Sequence, residues 1–324
     1  MIKLLKVTRN IFVNSPPVTF IVGWSKRIHP PGFQGIPLYD VVRFFFGQVR
    51  KVGMIERASA ISFNIVMAIP PAIIFLFTLI PYLPFVKQFT HELFGLIRDV
   101  IPGQNNVVII NFLRDFINNP RNGLLSVGFL LALFYSSNAM MGIMRSFDKN
   151  YIGFKKRKGL QQRGNAIRLT LIMFVIVFSS ILLLVMQGAV LKWLGIQNAS
   201  VRIFIKNARW VVIVLLFFYS ISYIYRHGPS VDKKWRLLNP GSILATCLML
   251  LFTLLFSYWV NNFASYNKLY GSISAILIVM VLIYFNSLVL LIGFELNVSI
   301  SSLRRLSDEA KAEVKPVLID PVKR

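Results

Sequence analysis

The side chains able to do chemistry in this chain are few, and the most conspicuous are amides. Asn64, Asn138 and Asn286 each interrupt a long apolar run, about six, six and eight residues in from its charged end. At 1.5 Å per helical residue all three fall about 9–12 Å inside that boundary. An amide donates and accepts hydrogen bonds but does not titrate. Such a trio offers the polar floor of a cavity or simple hydrogen-bond glue between helices. Pro70 and Pro71 lie near the middle of the first run. Their missing N–H groups free the carbonyls of Val66 and Met67, which predicts a kinked or broken helix whose backbone must be satisfied by protein or a wet cavity.

Charged groups gather where the runs end: Glu56, Arg57, Arg145, Asp148, Arg236 and Glu295. Glu295 follows an apolar stretch, so it is expected to be partly buried and paired with an arginine at its own level, as a structural pair or as a gate. Asn138, Gly142 and Ser146 recur at i, i+4 and i+8, a stripe that lets helices approach closely. Acid–base and metal chemistry have little to draw on. Cys247 stands alone, and His29, His91 and His227 share no ligand spacing. Neither a Gly-rich phosphate loop nor a Gly-x-Ser-x-Gly elbow occurs. The sequence therefore offers no catalytic residue, metal site or cofactor site.

The elements that position these residues follow from composition. Of 324 residues, 56% are hydrophobic and 15% charged, with 36 Lys and Arg against 12 acids and a net charge of +24. Soluble domains average about 25% charged residues, so a chain this apolar and this basic reads as a membrane protein. Uncharged runs cover 58–86, 122–144, 169–191, 237–267 and 269–294, each long enough for a bilayer core that takes about 20 helical residues. A sixth, 210–225, is shorter, and Arg209 and Arg226 can snorkel from its ends. The expectation is an all-α polytopic protein with six transmembrane helices. Segments on one side carry 27 of the 36 basic residues and those on the other carry nine, which places both termini in the cytoplasm.

Three regions result: a cytoplasmic N-terminal segment 1–57, a transmembrane domain 58–303 and a cytoplasmic tail 304–324. No continuous signal-peptide core is present near the start, because Asn14 and Pro16-Pro17 break it, so the first helix is expected to direct insertion. Residues 38–57 predict an amphipathic helix, lying on the inner leaflet or packed as an ordinary cytoplasmic helix. Residues 87–100 and 106–118 predict two short outer helices parted by Pro102-Gly103. Hydropathy shows no internal repeat. The densest basic run, Lys155-Lys156-Arg157-Lys158 followed by Arg163 and Arg168, has only Tyr151 and Phe154 as aromatic neighbours. A nucleic-acid surface would interleave stacking aromatics on a folded module, so anionic lipid headgroups are the expected partners and nucleic acid is not. A protein partner or a homo-oligomer is compatible with the sequence.

Several motifs resemble the YihY/BrkB family of bacterial inner-membrane proteins. ERASAISFNIVMAIPPAIIF (56–75) is similar to that family's entry into helix one, and RSFDKNY (145–151) fits after helix two. The closest likeness lies in 237–299, in LLNPGSILAT, the turn with Tyr266, Asn267, Tyr270 and Gly271 between helices five and six, and the ending Gly-Phe-Glu-Leu-Asn. Phe294 is a departure, since the family commonly has Ala before that Glu. The resemblance covers about 38–303. It implies a multi-pass inner-membrane fold linked to envelope and lipid export. An old ribonuclease BN label attaches to the family, and no metal ligands or RNA module in this sequence support it. The sequence reading is a transporter-like protein that moves a lipid or lipid-linked anion, with a non-transporting envelope scaffold as the alternative.

Overall fold

The structure, a computed structural model, describes residues 16–51, 53–82, 122–148, 159–193, 199–231, 234–262 and 273–314, with Tyr151, Phe154 and isolated positions between 86 and 119. The turn bearing Tyr266, Asn267, Tyr270 and Gly271 lies outside the described residues, as do most of the expected outer helices. Among the described residues the helices are α1 (Pro16–Arg27), α2 (Leu38–Lys51), α3 (Met54–Leu79), α4 (Asn122–Phe147), α5 (Gly159–Trp193), α6 (Ala199–His227), α7 (Pro240–Asn262) and α8 (Ile273–Val314). A short 3₁₀ turn, Ile80–Tyr82, extends α3, and one isolated antiparallel bridge joins Phe154 to Val231.

Among the described residues five helices carry stretches long and apolar enough to cross a membrane: Met54–Tyr82, Leu125–Phe147, Gly159–Leu182, Pro240–Val260 and Ile276–Lys311. They correspond to five of the six apolar runs. The remaining run lies on α6, whose apolar part, Val211–His227, is shorter. The helix expected over 38–57 divides in two. Gly53 adopts φ +62°, a left-handed conformation that ends α2 and lets α3 leave in a new direction. Helix α3 then runs to Leu79 with Pro70 and Pro71 inside it.

Contacts at the ends of the helices define the architecture. The start of α3, the end of α4 and α8 meet where Arg57 reaches the Ser146 carbonyl and Glu295. Asp148, just past α4, accepts the Ser230 N–H just past α6 at 2.9 Å and the Gln162 amide near the start of α5 at 3.5 Å. Asn239 caps the start of α7 and bonds Asn297 on α8 at 2.6 Å. The starts of α3, α5 and α7 therefore gather with the ends of α4 and α6 and with α8 beyond its apolar run. This is an up-and-down antiparallel bundle.

Small residues set the closest approaches. On α4, Gly142 faces the Asn64 side chain and Gly128 faces the backbone of Phe75, so α3 and α4 pack tightly along their length. Gly241 of α7 and Gly293 of α8 touch through backbone: a Cβ on Gly241 would overlap the Gly293 carbonyl oxygen. Around that crossing sits the core, with Met54, Ala58, Ile61, Ile143, Phe147, Tyr225, Ala245, Leu291, Phe294 and Val298 buried together. Phe294 is its centre. Its ring stacks on Phe147 at 3.9 Å and meets Tyr225, Tyr151, Phe154 and Trp235 edgewise or tilted.

Candidate functional site

The end of the bundle where the helices gather holds a buried charged cluster. Arg57 sits in the first turn of α3, and Glu295 follows the Gly293 crossing on α8, so both helices deliver a charge to one level. Arg57 Nη1 donates to Glu295 Oε1 at 2.7 Å, with the two side chains 6% and 0% exposed. Its Nη2 donates to the Ser146 carbonyl, and the Tyr151 hydroxyl donates to Glu295 Oε1. Tyr151 comes from the segment after α4 and lies half-buried over the pair, its ring tilted against Phe154 at 5.1 Å. Burial foremost, and then the nearby Glu295 charge, hold the Tyr151 phenol above the usual tyrosine range, so it stays a proton donor at neutral pH.

Two atoms of the pair are buried without a partner among the described residues, Arg57 Nε and Glu295 Oε2. Each retains one hydrogen-bond valence, a donor and an acceptor. In a low-dielectric interior such a pair holds only while both members stay together. Removing either leaves a costly lone charge, which makes the pair a fastener between α3 and α8. Ser146 and Tyr151 tie the end of α4 into the same fastener.

The expected pairing of Glu295 with an arginine is present, and the partner is Arg57. The other charged positions behave differently. Glu56 is exposed beside Gly53, Arg145 is exposed and reaches Met141 Sδ at 3.5 Å, and Arg236 is exposed. Asp148 ties the α4–α5 and α6–α7 connections together through Ser230 and Gln162. The three asparagines bond separately. Asn64 Nδ2 donates to the Ala60 carbonyl at 2.7 Å and Asn286 Nδ2 to the Leu282 carbonyl at 2.9 Å, each on its own helix. Asn138 Oδ1 accepts Arg163 Nη1 of α5 at 2.5 Å, and that guanidinium also lies over the Phe134 ring at 5.2 Å. Among the described residues no hydrogen bond joins Asn64, Asn138 and Asn286 to one another.

Sequence reasoning gave no role to four participants, three of which lay in motifs that carried the family resemblance. Tyr151 figured as an aromatic flanking a basic run and as the last residue of the RSFDKNY motif, with no contact assigned to it. Asn239 N-caps α7, its Oδ1 accepting the Ser242 N–H at 2.8 Å, with Pro240 at the first helical position where its missing N–H costs nothing. Asn297, two residues beyond Glu295, accepts the Gly241 N–H at 2.9 Å. The Tyr225 hydroxyl donates to the Leu290 carbonyl at 2.6 Å. Asn-Pro-Gly-Ser is a readable cap signature and could have flagged Asn239. The other three needed the fold.

A polytopic helical bundle with a buried ion pair at one end defines a class, a multi-span membrane protein. The chain belongs to the Virulence factor BrkB family, which it matches over residues 45–316. A relative from Bacillus subtilis that carries a ribonuclease-like name, YfkH, is 27% identical over 78% of this chain and 92% of its own length. UPF0761 membrane proteins of Chromohalobacter salexigens and Stenotrophomonas maltophilia are 22% and 21% identical over 78% and 81% of this chain. The match spans about 60% of the length of those two relatives. No solved structure matches the chain.

Proposed function

We propose that this protein crosses the bacterial cytoplasmic membrane six times with both termini inside, and that it moves a lipid or lipid-linked anionic molecule between leaflets. The observation that carries the reading is the Arg57–Glu295–Tyr151 fastener, set where the helix ends converge. A phosphate or carboxylate headgroup competes with Glu295 for the Arg57 guanidinium, because both are planar or tetrahedral oxyanions that accept its N–H donors. Exchange of that partner would part α3 from α8 at the cytoplasmic end. Asn64, two turns deeper on α3, is the next polar side chain a headgroup would meet, with Asn138 and Asn286 at similar depth and the carbonyls before Pro70 and Pro71 beyond. The chain carries no nucleotide-binding loop, so a gradient or a partner protein supplies the driving force.

The test is a purified preparation in liposomes with a headgroup-labelled anionic phospholipid in one leaflet. Transfer faster than in protein-free vesicles, altered by Arg57→Lys, supports the reading. No transfer under any imposed proton or ion gradient overturns it. The backbone contact at Gly241 and Gly293 and the Phe147–Phe294 stack favour a second reading, a closed, non-transporting scaffold of the envelope. A stoichiometric protein partner recovered by crosslinking, with Asn64→Ala and Pro70→Ala silent, supports that one. We read the chain as non-enzymatic despite the name of its Bacillus relative. Metal-dependent RNA cleavage that persists through rigorous purification would reverse this.

A further inference from the structure

We propose that α1 and α2 form a helical hairpin seated on the anionic headgroup layer of the leaflet beside the fastener, with one aromatic edge in the lipid. The hairpin is a defined unit. The Leu38 N–H closes its turn on the Ile28 carbonyl at 3.0 Å, and Lys26 of α1 lies over the Tyr39 ring of α2 at 5.1 Å. It is fixed to the end of the bundle at three places. Val41, Phe33 and Ile36 are buried with Ile300 of α8, Arg304 Nη1 donates to the Gln34 carbonyl at 2.8 Å, and Gly32, at φ +91°, abuts Pro240 at the start of α7.

Depth follows from helical rise. The apolar stretch of α8 from 273 to 294 is 22 residues and spans about 33 Å, one hydrocarbon core. Ile300 lies six residues further on. That is about 9 Å past the core edge, in the headgroup layer, and a helix about 10 Å thick packed there reaches the hydrocarbon boundary. At this depth large aromatics project outward: Phe20 is 74% exposed, Trp24 61% and Phe46 57%, with Val42 at 40%. Phe20 and Trp24 stand at i and i+4 on α1, Val42 and Phe46 at i and i+4 on α2, so each pair makes one edge.

The opposite face of α2 holds the polar side chains Asp40, Arg43 and Gln48. Asp40, Arg43, Phe44, Gly47 and Gln48, spaced at i, i+3, i+4, i+7 and i+8, line an open cleft of about 540 Å³ against Leu303 and Ser307. One helix therefore turns water-facing groups one way and an apolar edge the other, which fixes how it lies on a bilayer. Charge selects the lipid. Residues 16–51 carry five basic side chains and a single acid, Asp40, so anionic headgroups are the complementary surface.

The inference rests on α8 spanning the membrane but not on transport, and spin-label accessibility separates the two. Labels are placed at Phe20→Cys, Phe46→Cys and Gly47→Cys in a Cys247→Ser full-length chain, in nanodiscs with 30% phosphatidylglycerol (about one lipid in three, a typical anionic fraction). Labels at 20 and 46 are expected to collide with lipid-soluble oxygen more than with an aqueous nickel chelate, and the label at 47 the reverse. With Arg27→Gln, which removes one basic side chain from the headgroup layer, the seated population falls about fivefold, and in discs of phosphatidylcholine alone it falls further. A label at Phe63→Cys, on the exposed apolar face of α3, reports the spanning reading by itself. If 63 meets oxygen while 20 and 46 meet the nickel chelate, the hairpin proposal falls and the span stands. Labels at 20 and 46 shielded from both reagents and broadened by spin–spin coupling would show a second copy on that edge and would equally overturn it.

Discussion

At the residue scale the fastener makes sharp demands. Glu295→Gln keeps the shape and removes the charge, leaving Arg57 buried and uncompensated. We expect a loss of about 3–5 kcal/mol in unfolding free energy, measured by denaturant titration in detergent. The double variant Arg57→Met/Glu295→Leu removes both charges and should recover most of that loss; a double as unstable as the sum of its singles would show that the two side chains are not coupled. Tyr151 adds a pH signature. Its phenol is held above the usual range, so the folded state keeps a proton that the unfolded state loses near pH 10. Stability is therefore flat below that pH and falls as pH rises past it. Tyr151→Phe should lose that part of the slope, as read from melting temperatures between pH 8 and 11. A buried carboxylate after an apolar run demands a cation, so the type of Glu295's partner was legible in the sequence. Which arginine it is was not, because Arg57 lies 238 positions away. Phe294 looked like a mild departure and is the centre of an aromatic cluster, a role that depends on rings from four other segments.

At the element scale the crossing of α7 and α8 is the most demanding contact. Gly293→Ala would place a methyl 2.5 Å from the Gly241 carbonyl oxygen and 2.6 Å from the Tyr225 hydroxyl, and neither is the free end of a flexible chain. We expect at least about 1–3 kcal/mol of destabilisation, with the two helices forced apart. Gly164→Ala on α5, where nothing lies within 4 Å, serves as the control. It should stabilise by about 0.5–1 kcal/mol, the gain of alanine over glycine inside a helix. Equal effects at both sites would mean that backbone freedom, not contact, decides the cost. Helix positions were readable because apolar runs bounded by charge are long and unambiguous. The break at Gly53 inside the expected 38–57 helix was not, since a glycine in an amphipathic pattern is tolerated as often as it turns. The pairing of glycines on α7 and α8 carries no local signal in either segment.

At the scale of the whole molecule α6 decides the number of crossings. Its apolar part, Val211–His227, gives about 26 Å of helix against a core of about 30 Å, a mismatch that local thinning of the bilayer can absorb at modest cost. Its packing is that of a bundle member. Ile221 and Tyr225 are buried in the core with Phe294, and the residues just past its end bond those just past α4. A helix lying on the membrane surface could not bring Ser230 to Asp148 while α5 starts beside the same aspartate. If α6 returns through the membrane, Gln161 and Leu238 lie on one side; if it does not, they lie on opposite sides. Both positions are exposed, so cysteines placed there in a Cys247→Ser chain can be labelled with a membrane-impermeant maleimide. We expect both to react only after the cells are permeabilised, and Ser307→Cys likewise, while Gly123→Cys reacts in intact cells. Reaction of Leu238→Cys in intact cells, with Gln161→Cys protected, would reduce the bundle to five crossings. It would also part the termini that we propose to lie on one side, a proposal resting on the 27 of 36 basic residues that fall in the segments assigned to it.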